Sequence, residues 1–317
     1  MHFGWRKIVR IFDLHCDTLG RAIDENKSLF SKDFHIDIVK GLKYDKWIQC
    51  FAIFIPDELR GEKALDLFKR AKEKLKNECE NYNSKINLCE DFKKIDLSQK
   101  NICDVIFTVE GGAVLAGELK NLDYLHKCGV KIMTLTWNGE CELGDGIGVE
   151  NSKGLTGFGL EVIKKMEKLK IVIDISHASD ALFYDVAKNT NLPFVASHSN
   201  SRTVCENKRN LKDDQFKTIV RRGGIVGINF CKYFLNSKND ASIYDIIKHV
   251  DYFLSLGGEK SISLGSDFDG TDMPEGVVGI ESMEKIYETF LKCGYKEDLV
   301  KDIFFNNAYN FFKNFWK

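Results

Sequence analysis

Five side chains that could bind a divalent metal ion stand at or just after apolar, strand-like stretches of the chain. Three of the seven histidines are among them, at His15, His177 and His198, and Asp17 and Glu110 add carboxylates. Imidazole and carboxylate ligands without thiolate are typical of Zn²⁺ or a similar ion in an open, catalytic site. Each residue alone has a commoner structural explanation, such as a hydrogen-bonded core histidine or a helix cap. Their shared placement predicts a metal site.

The number of candidate ligands indicates more than one ion. A single catalytic zinc usually takes about three protein ligands, and this set is larger. A carboxylate able to bridge, such as Glu110, favours two ions that share a hydroxide. Asp267 ends the last strand-like stretch. Asp269 is two residues later, so its side chain would point to the same face as that of Asp267, and we interpret it as a partner that orients a metal ligand. The other histidines are interpreted as background in a terminus, a loop or helices: His2, His35, His126 and His249.

Apolar runs rich in β-branched and aromatic residues would have to position these side chains. The predicted strands are residues 11–17, 47–55, 104–110, 131–137, 171–177, 193–198, 224–230 and 261–267. Most gaps between them have apolar residues at helical spacing, and the predicted helices cover residues 60–80, 158–169, 178–190, 211–222 and 242–256. Strand–helix alternation of this kind indicates a parallel sheet. Eight repeats favour an α/β fold of the closed (β/α)8 TIM type over the alternative, an open doubly wound sheet.

In such a barrel the C-terminal ends of the strands meet on one face, where catalytic groups collect. Residues two apart on a strand share a face, so His15 and Asp17 are predicted to point at one ion while Cys16 points away. His177 and His198 end the fifth and sixth predicted strands. The fold class therefore predicts that the separate ligands converge.

Composition excludes several classes of protein. The 46 Lys and Arg residues nearly balance the 47 Asp and Glu residues, so nothing resembles the basic surface of a nucleic-acid binder. No run approaches the ~20 apolar residues of a membrane span, and charges interrupt residues 1–10 before a signal peptide could form. We therefore expect a cytoplasmic protein with no membrane partner. The ten cysteines form no Cys-x-x-Cys pair and are expected to be free thiols. With three prolines and no linker, residues 1–317 are expected to form a single catalytic domain.

The motifs that carry these residues resemble those of the membrane (renal) dipeptidase family of zinc peptidases. They run in the family's order from about residue 11 to the C-terminal helix. The matching segments are Asp13-Leu14-His15-Cys16-Asp17, Val109-Glu110-Gly111, Asp174-Ile175-Ser176-His177, Ser197-His198-Ser199, Arg209-Asn210 and Gly265-Ser266-Asp267-Phe268-Asp269-Gly270. Together they are specific, although any one alone would not be.

The resemblance implies a role for each matching residue. One zinc ion would be held by His15 and Asp17, and a second by His177 and His198, with Glu110 bridging the two. Asp267 would transfer protons, and Arg209 would bind the free C-terminal carboxylate of a dipeptide. Family members hydrolyse the amide bond of dipeptides and often accept a D-residue at the second position. They are often homodimers, and the aromatic segment 303–312 would be a candidate dimer surface, although packing onto the barrel is an alternative.

Two departures from the family pattern affect the substrate pocket rather than the metal ligands. Trp137 replaces a histidine that contacts substrate, and Cys231 replaces a tyrosine. The indole offers a large flat surface and one N–H donor, which predicts a narrower or more apolar pocket. We therefore do not transfer the β-lactamase activity of some family members to this chain.

Three other functions compete with this interpretation. Gly154-Leu155-Thr156-Gly157-Phe158-Gly159 is glycine-rich, but its spacing is not that of a dinucleotide-binding loop, and Thr156 is expected to cap a helix instead. The same barrel could support another binuclear metal reaction, such as that of a different amide hydrolase, a deaminase or a phosphoesterase. A non-catalytic binding protein that keeps the site is the third alternative, and the presence of Asp267 argues against it.

Overall fold

The strands of the protein are short and lie at the positions where apolar runs were predicted. The structure, a computed structural model, describes residues 9–238 and 240–317, so residues 1–8, which include His2, lie outside the described residues. The strands are β1 Arg10–Asp13, β2 Lys46–Phe54, β3 Ile86–Leu88, β4 Cys103–Glu110, β5 Ile132–Thr134, β6 Glu140–Cys141, β7 Gly144–Asp145, β8 Val172–Asp174, β9 Val226–Ile228 and β10 Ile262–Leu264.

Helices separate these strands and cover the outside of the sheet. The α-helices are α1 Thr18–Asp24, α2 Ile38–Gly41, α3 Glu62–Asn81, α4 Leu119–Lys127, α5 Gly157–Leu169, α6 Asp180–Asn189, α7 Asp213–Arg221, α8 Lys232–Leu235, α9 Ile243–Ser255, α10 Met283–Lys292, α11 Glu297–Lys301 and α12 Asn307–Phe315. A π-helical turn, Asp302–Asn306, precedes α12. The predicted cap is confirmed, since the Thr156 side chain accepts a hydrogen bond from Gly159 N at the start of α5.

One parallel sheet follows the order β8-β5-β4-β2-β1-β10-β9, with β3 paired to β4. The gap between β8 and β9 is closed by residues 195 and 196, because Val195 forms a parallel bridge to Asp174 and Ala196 forms one to Val226. Eight parallel segments thus encircle the core, and the predicted (β/α)8 barrel is confirmed. The short β6–β7 pair forms a separate antiparallel ribbon.

The predicted sixth strand, residues 193–198, is wrong as a regular strand. The Ser197 amide donates to Asp174 Oδ1 at 2.9 Å, and the His198 amide donates to Ser176 Oγ at 3.1 Å. Side chains thus accept the amide protons that a regular ladder would use. Other strands are also shorter than predicted: β1 ends at Asp13, so His15 and Asp17 lie beyond the strand rather than on one of its faces.

An aromatic cluster fills the N-terminal end of the barrel, opposite the strand ends that carry the candidate ligands. The ring centroid of Phe312, on α12, lies 5.3 Å from that of Phe12 on β1 and 6.1 Å from that of Phe92. Phe12 and Phe312 are completely buried. The aromatic C-terminal segment therefore packs onto the barrel, as one of the two alternatives for it predicted. Across the described residues, no helix combines the length and the apolar character that crossing a bilayer requires.

We expect Phe312→Ala to lower the free energy of unfolding by about 3–5 kcal/mol, because it removes a buried ring that the surroundings cannot refill. Chemical denaturation measures this loss. The specific activity of the remaining folded protein should not change, since the ring is at the far end of the barrel from the ligands. Tyr244→Ala is the matched control: Tyr244 is 60% exposed, and its loss should cost less than about 0.5 kcal/mol.

Candidate metal centre

The five predicted ligands converge in the structure, although most of them lie in loops rather than on strands. Asp17 is the residue that precedes α1, and Glu110 is the last residue of β4. His177 follows β8 in a left-handed conformation with φ of 69°. A non-glycine residue rarely adopts this region, and such residues concentrate at functional sites. Asp267, after β10, is also left-handed, with φ of 62°.

Glu110 lies between two groups of side chains. Its Oε2 is 3.6 Å from His15 Nε2, whereas its Oε1 is 2.8 Å from His177 Nε2 and 3.4 Å from His198 Nε2. The carboxylate therefore presents one oxygen to each side. Glu110 is buried, with 4% of its surface exposed, so its charge requires compensation from its neighbours.

Hydrogen bonds define where the protons of two histidines reside. His177 Nδ1 is 2.9 Å from Asn138 Oδ1, and since an amide oxygen only accepts, Nδ1 must donate. Ser197 Oγ donates to Asp174 Oδ2 at 2.6 Å, so His198 Nδ1, which is 2.8 Å from the same Oγ, must donate to it. In both neutral rings the lone pair is therefore on Nε2.

These two lone pairs face each other. The Nε2 atoms of His177 and His198 are 2.9 Å apart, and Glu110 Oε1 is near both. Burial lowers the pKa of His177 to about 3, with a further contribution from the Arg209 charge, and burial likewise lowers the pKa of His198. Neither ring thus supplies a proton to separate the lone pairs. This donor set is that of a cation site.

The other side of Glu110 contains His15, Asp17 and Asp267. His15 Nε2 is 3.3 Å from Asp17 Oδ2 and 3.8 Å from Asp267 Oδ1. Burial opposes the charged ring, but the Asp17 and Glu110 carboxylates raise the pKa of His15 to about 10. This side therefore favours a positive charge at its centre, either as a proton on His15 or as a metal ion.

Asp17 adds a second sign that a cation belongs there. Its Oδ1 is buried without a hydrogen-bond partner among the described residues, and burial raises the pKa of Asp17 to about 7. An unsatisfied buried carboxylate oxygen is costly unless an ion binds it. In each of two groups of side chains, the possible ligand atoms all lie within 4.8 Å of one another. One group is His15, Glu110 and His198, and the other is His15, Asp17 and Asp267. His15 belongs to both groups and Glu110 to one of them, so the residues present fit the binding of a divalent cation.

Asp267 is held in place by one neighbour. Asn229 Nδ2 donates to its Oδ2 at 3.0 Å, and its Oδ1 is the atom nearest to His15. Burial disfavours its ionised form, yet the charge of His15 and the hydrogen bond from Asn229 lower the pKa of Asp267 below the usual value. The carboxylate is therefore ionised beside the proposed ions.

A cavity of about 540 Å³ opens over this cluster and contains both predicted substrate-binding residues, Arg209 and Trp137. Arg209 is 9% exposed, and its Nε has no hydrogen-bond partner among residues 9–238 and 240–317. Within the described ranges its guanidinium has no carboxylate within ion-pair distance, and its one hydrogen bond is a long one of 3.5 Å to His198 O. Phe234 lies under it at 5.4 Å. A buried guanidinium left without an acid suggests that a ligand supplies one.

The two departures from the family pattern lie at different distances from this cavity. The Trp137 ring lines it, 4.9 Å from the Phe54 ring and 6.1 Å from the His177 ring. Cys231 is buried and accepts a hydrogen bond from Thr271 Oγ1 at 3.0 Å, and it does not line the cavity. Of the two, Trp137 is placed to contact a bound molecule.

Sequence reasoning did not assign roles to four residues that orient the ligands and Asp267. Asn138 and Ser197 fix the proton positions of two histidines, Asp174 accepts from Ser197, and Asn229 holds Asp267. Asp174 was detectable as a carboxylate inside an apolar run. Asn138 and Asn229 carried no such signal, since asparagine after a strand is common in turns.

Asp269, predicted to orient a ligand, has a different set of partners. It accepts hydrogen bonds from Thr18 Oγ1 at 2.5 Å, from Arg21 Nη1 at 3.0 Å and from the amides of His35 and Ile36. The described contacts include none from Asp269 to a candidate ligand. It instead ties α1 and the loop before α2 to the end of the eighth barrel segment.

Comparison with known proteins gives a consistent result. The family model of membrane dipeptidase, Peptidase family M19, matches residues 6–315. Mouse Dipeptidase 3 is 26% identical over 272 residues, which are 84% of this chain and 55% of that protein, so the chain spans about half of its length.

Two solved structures share the fold. The dipeptidase AC of family M19 superposes with a TM-score of 0.91 at 24% identity, covering 98% of this chain and 99% of the other. A metallopeptidase from Rhodobacter sphaeroides, bound to a phosphinate mimic of the dipeptide L-Ala-D-Ala, has a TM-score of 0.90 at 23% identity, covering 97% and 99%. Because the family model matches nearly the whole described chain, this barrel with its cluster of histidines and carboxylates belongs to the membrane dipeptidase family, Peptidase family M19.

Proposed function

We propose that this chain is a dipeptidase that acts through two zinc ions, in one catalytic domain. His15 and Asp17 would hold one ion, His177 and His198 the other, and Glu110 both. The observation that carries the proposal is the pairing, in one cavity, of this ligand cluster with the guanidinium of Arg209, which is buried without an ion pair among the described residues. A free carboxylate close to the bond that is cut is a feature of a dipeptide and of the C-terminal bond of a longer peptide, and not of an internal peptide bond, so the substrate panel below includes a tripeptide.

The residues of the chain divide the chemical work. Arg209 binds the C-terminal carboxylate of the substrate, which positions the scissile carbonyl over Glu110 and His177. When bound, the ions supply a hydroxide at neutral pH and polarise the carbonyl. Asp267 accepts a proton through Oδ1 and returns it to the leaving amine, while Asn229 keeps Oδ2 occupied. Trp137 forms part of the pocket wall and restricts the side chains that enter.

A D-residue at the second position is part of the proposal. The Rhodobacter sphaeroides metallopeptidase of the same fold was crystallised with a mimic of L-Ala-D-Ala, which supports testing this stereochemistry. Arg209 binds the carboxylate at one end only, so the side chain at the second position is not fixed by that contact.

The test is turnover of a defined substrate panel after reconstitution with Zn²⁺. We expect hydrolysis of L-Ala-L-Ala and L-Ala-D-Ala, and much slower hydrolysis of the tripeptide L-Ala-L-Ala-L-Ala. Metal removal by a chelator should abolish turnover, and added Zn²⁺ should restore it. Turnover of phosphoesters or nucleobases without dipeptide cleavage would contradict the proposal, as would full zinc loading with no turnover at all.

A further inference from the structure

The cavity over the ligand cluster has a second arginine that the proposed reaction does not use. Arg70, an exposed residue of α3, the helix that follows β2, also lines the cavity, so its guanidinium is open to both solvent and a bound molecule. Nothing among residues 9–238 and 240–317 accepts a hydrogen bond from it or lies within ion-pair distance of it. Its neighbour Lys69 differs, because Lys69 pairs with Asp66 at 2.8 Å and does not line the cavity.

The third arginine of the cavity wall is already paired. Arg21 Nη1 is 3.0 Å from Asp269 Oδ1, and Arg21 Nε is 2.7 Å from Glu25 Oε1. Arg209, in the proposed function, binds the C-terminal carboxylate. Arg70 is therefore the guanidinium of this wall whose charge is left for another anionic group.

The barrel order places Arg70 on the side opposite Arg209. The barrel segments run β1, β2, β4, β5, β8, residues 195–196, β9 and β10, so β2 and residues 195–196 are four positions apart in a ring of eight. Arg209 is in the loop after residues 195–196, and Arg70 follows β2. A dipeptide held by Arg209 therefore directs its first residue toward the β2 side.

The part of the cavity wall that β2 and the segment leading into α3 form contains apolar side chains as well as Arg70. Ile53 and Phe54 end β2, and Leu59 and Leu67 extend the surface toward α3. An apolar surface that ends in one guanidinium matches a side chain with a hydrocarbon stem and a carboxylate tip.

We propose that Arg70 selects dipeptides whose first residue has an acidic side chain, with glutamate fitting best. This inference rests on the proposed dipeptidase function. Asp24 also lines the cavity, and it has no ion pair within the part of the chain that the structure describes. It would favour a basic side chain instead, so the test includes one.

The experiment compares kcat/KM for Glu-Ala, Gln-Ala and Lys-Ala in the zinc-reconstituted protein. Gln is the neutral isostere of Glu, so the Glu-Ala to Gln-Ala ratio isolates the charge. We expect this ratio to exceed one in the unaltered protein and to fall about fivefold in Arg70→Gln. A fall of this size is the effect of losing one solvent-accessible ion pair. Arg70→Glu should reverse the preference for an acidic first residue, so that kcat/KM becomes higher for Lys-Ala than for Glu-Ala.

The matched control is Lys69→Gln, which removes the same charge one residue away and should leave the ratio unchanged. Thermal melting of each variant checks that folding is intact. An unchanged ratio in Arg70→Gln, or a Lys-Ala preference that Asp24→Asn removes, would overturn the inference while dipeptidase activity stands. Absence of turnover for every dipeptide would overturn the proposed function, and this inference with it.

Discussion

Replacing Glu110 with alanine should leave the protein folded, remove at least one metal ion per chain and lower kcat by at least about 10³-fold, as loss of a group that stabilises charge in the transition state does. The reason is that Glu110 presents Oε2 to His15 and Oε1 to His177 and His198, so both proposed ion positions lose a ligand together. Metal content by mass spectrometry and turnover of L-Ala-L-Ala measure the two effects.

Two further variants, one of this carboxylate and one of a distant carboxylate, sharpen the result. Glu110→Gln keeps the shape, removes the charge and replaces one acceptor oxygen by an NH2 donor, so it should bind metal almost as poorly as Glu110→Ala. Glu118→Ala removes a carboxylate just before α4, outside the cavity, and should retain full metal content and activity. Normal zinc content in Glu110→Ala would show that this carboxylate does not bridge two ions.

Replacing Arg209 with methionine should raise KM for L-Ala-L-Ala by about 30-fold to 160-fold, the effect of losing a charge-assisted hydrogen-bonded contact worth about 2–3 kcal/mol. KM for the C-terminally amidated dipeptide should change far less, because that substrate offers no carboxylate. Steady-state kinetics on the two substrates give both values.

A stability measurement separates this role from a structural one. Arg209 is buried, and no carboxylate within the described part of the chain lies within ion-pair distance of it, although Asp267 and Glu110 favour its charge from farther away. Methionine keeps the apolar contact with Phe234 and removes a buried charge that has no direct ion pair, so Arg209→Met should melt at the same or a higher temperature. Lys208→Ala, which removes the exposed neighbouring cation, should alter neither KM nor melting. Equal rises of KM for free and amidated substrates would exclude Arg209 as the carboxylate anchor.

The order of elements was predictable because it depends on local pattern. A parallel barrel strand is buried on both faces and therefore appears as a short apolar run, as in residues 104–110, which became β4. Strand ends were less accurate, since side-chain acceptors determined them. Asp174 and Ser176 capture the amides of Ser197 and His198, and no local pattern reports that competition.

The sequence by itself determined the fold class and the residue types that gather at one end of the barrel, because strand alternation and motif order need no tertiary information. Only the tertiary structure decided how these residues are arranged. Glu110 came to lie between two groups of ligands, and the Nε2 atoms of His177 and His198 came to face each other at 2.9 Å. It also left Arg209 buried without an acid. These properties depend on atoms brought together across many residues of chain, where hydrogen-bond geometry and burial decide the outcome.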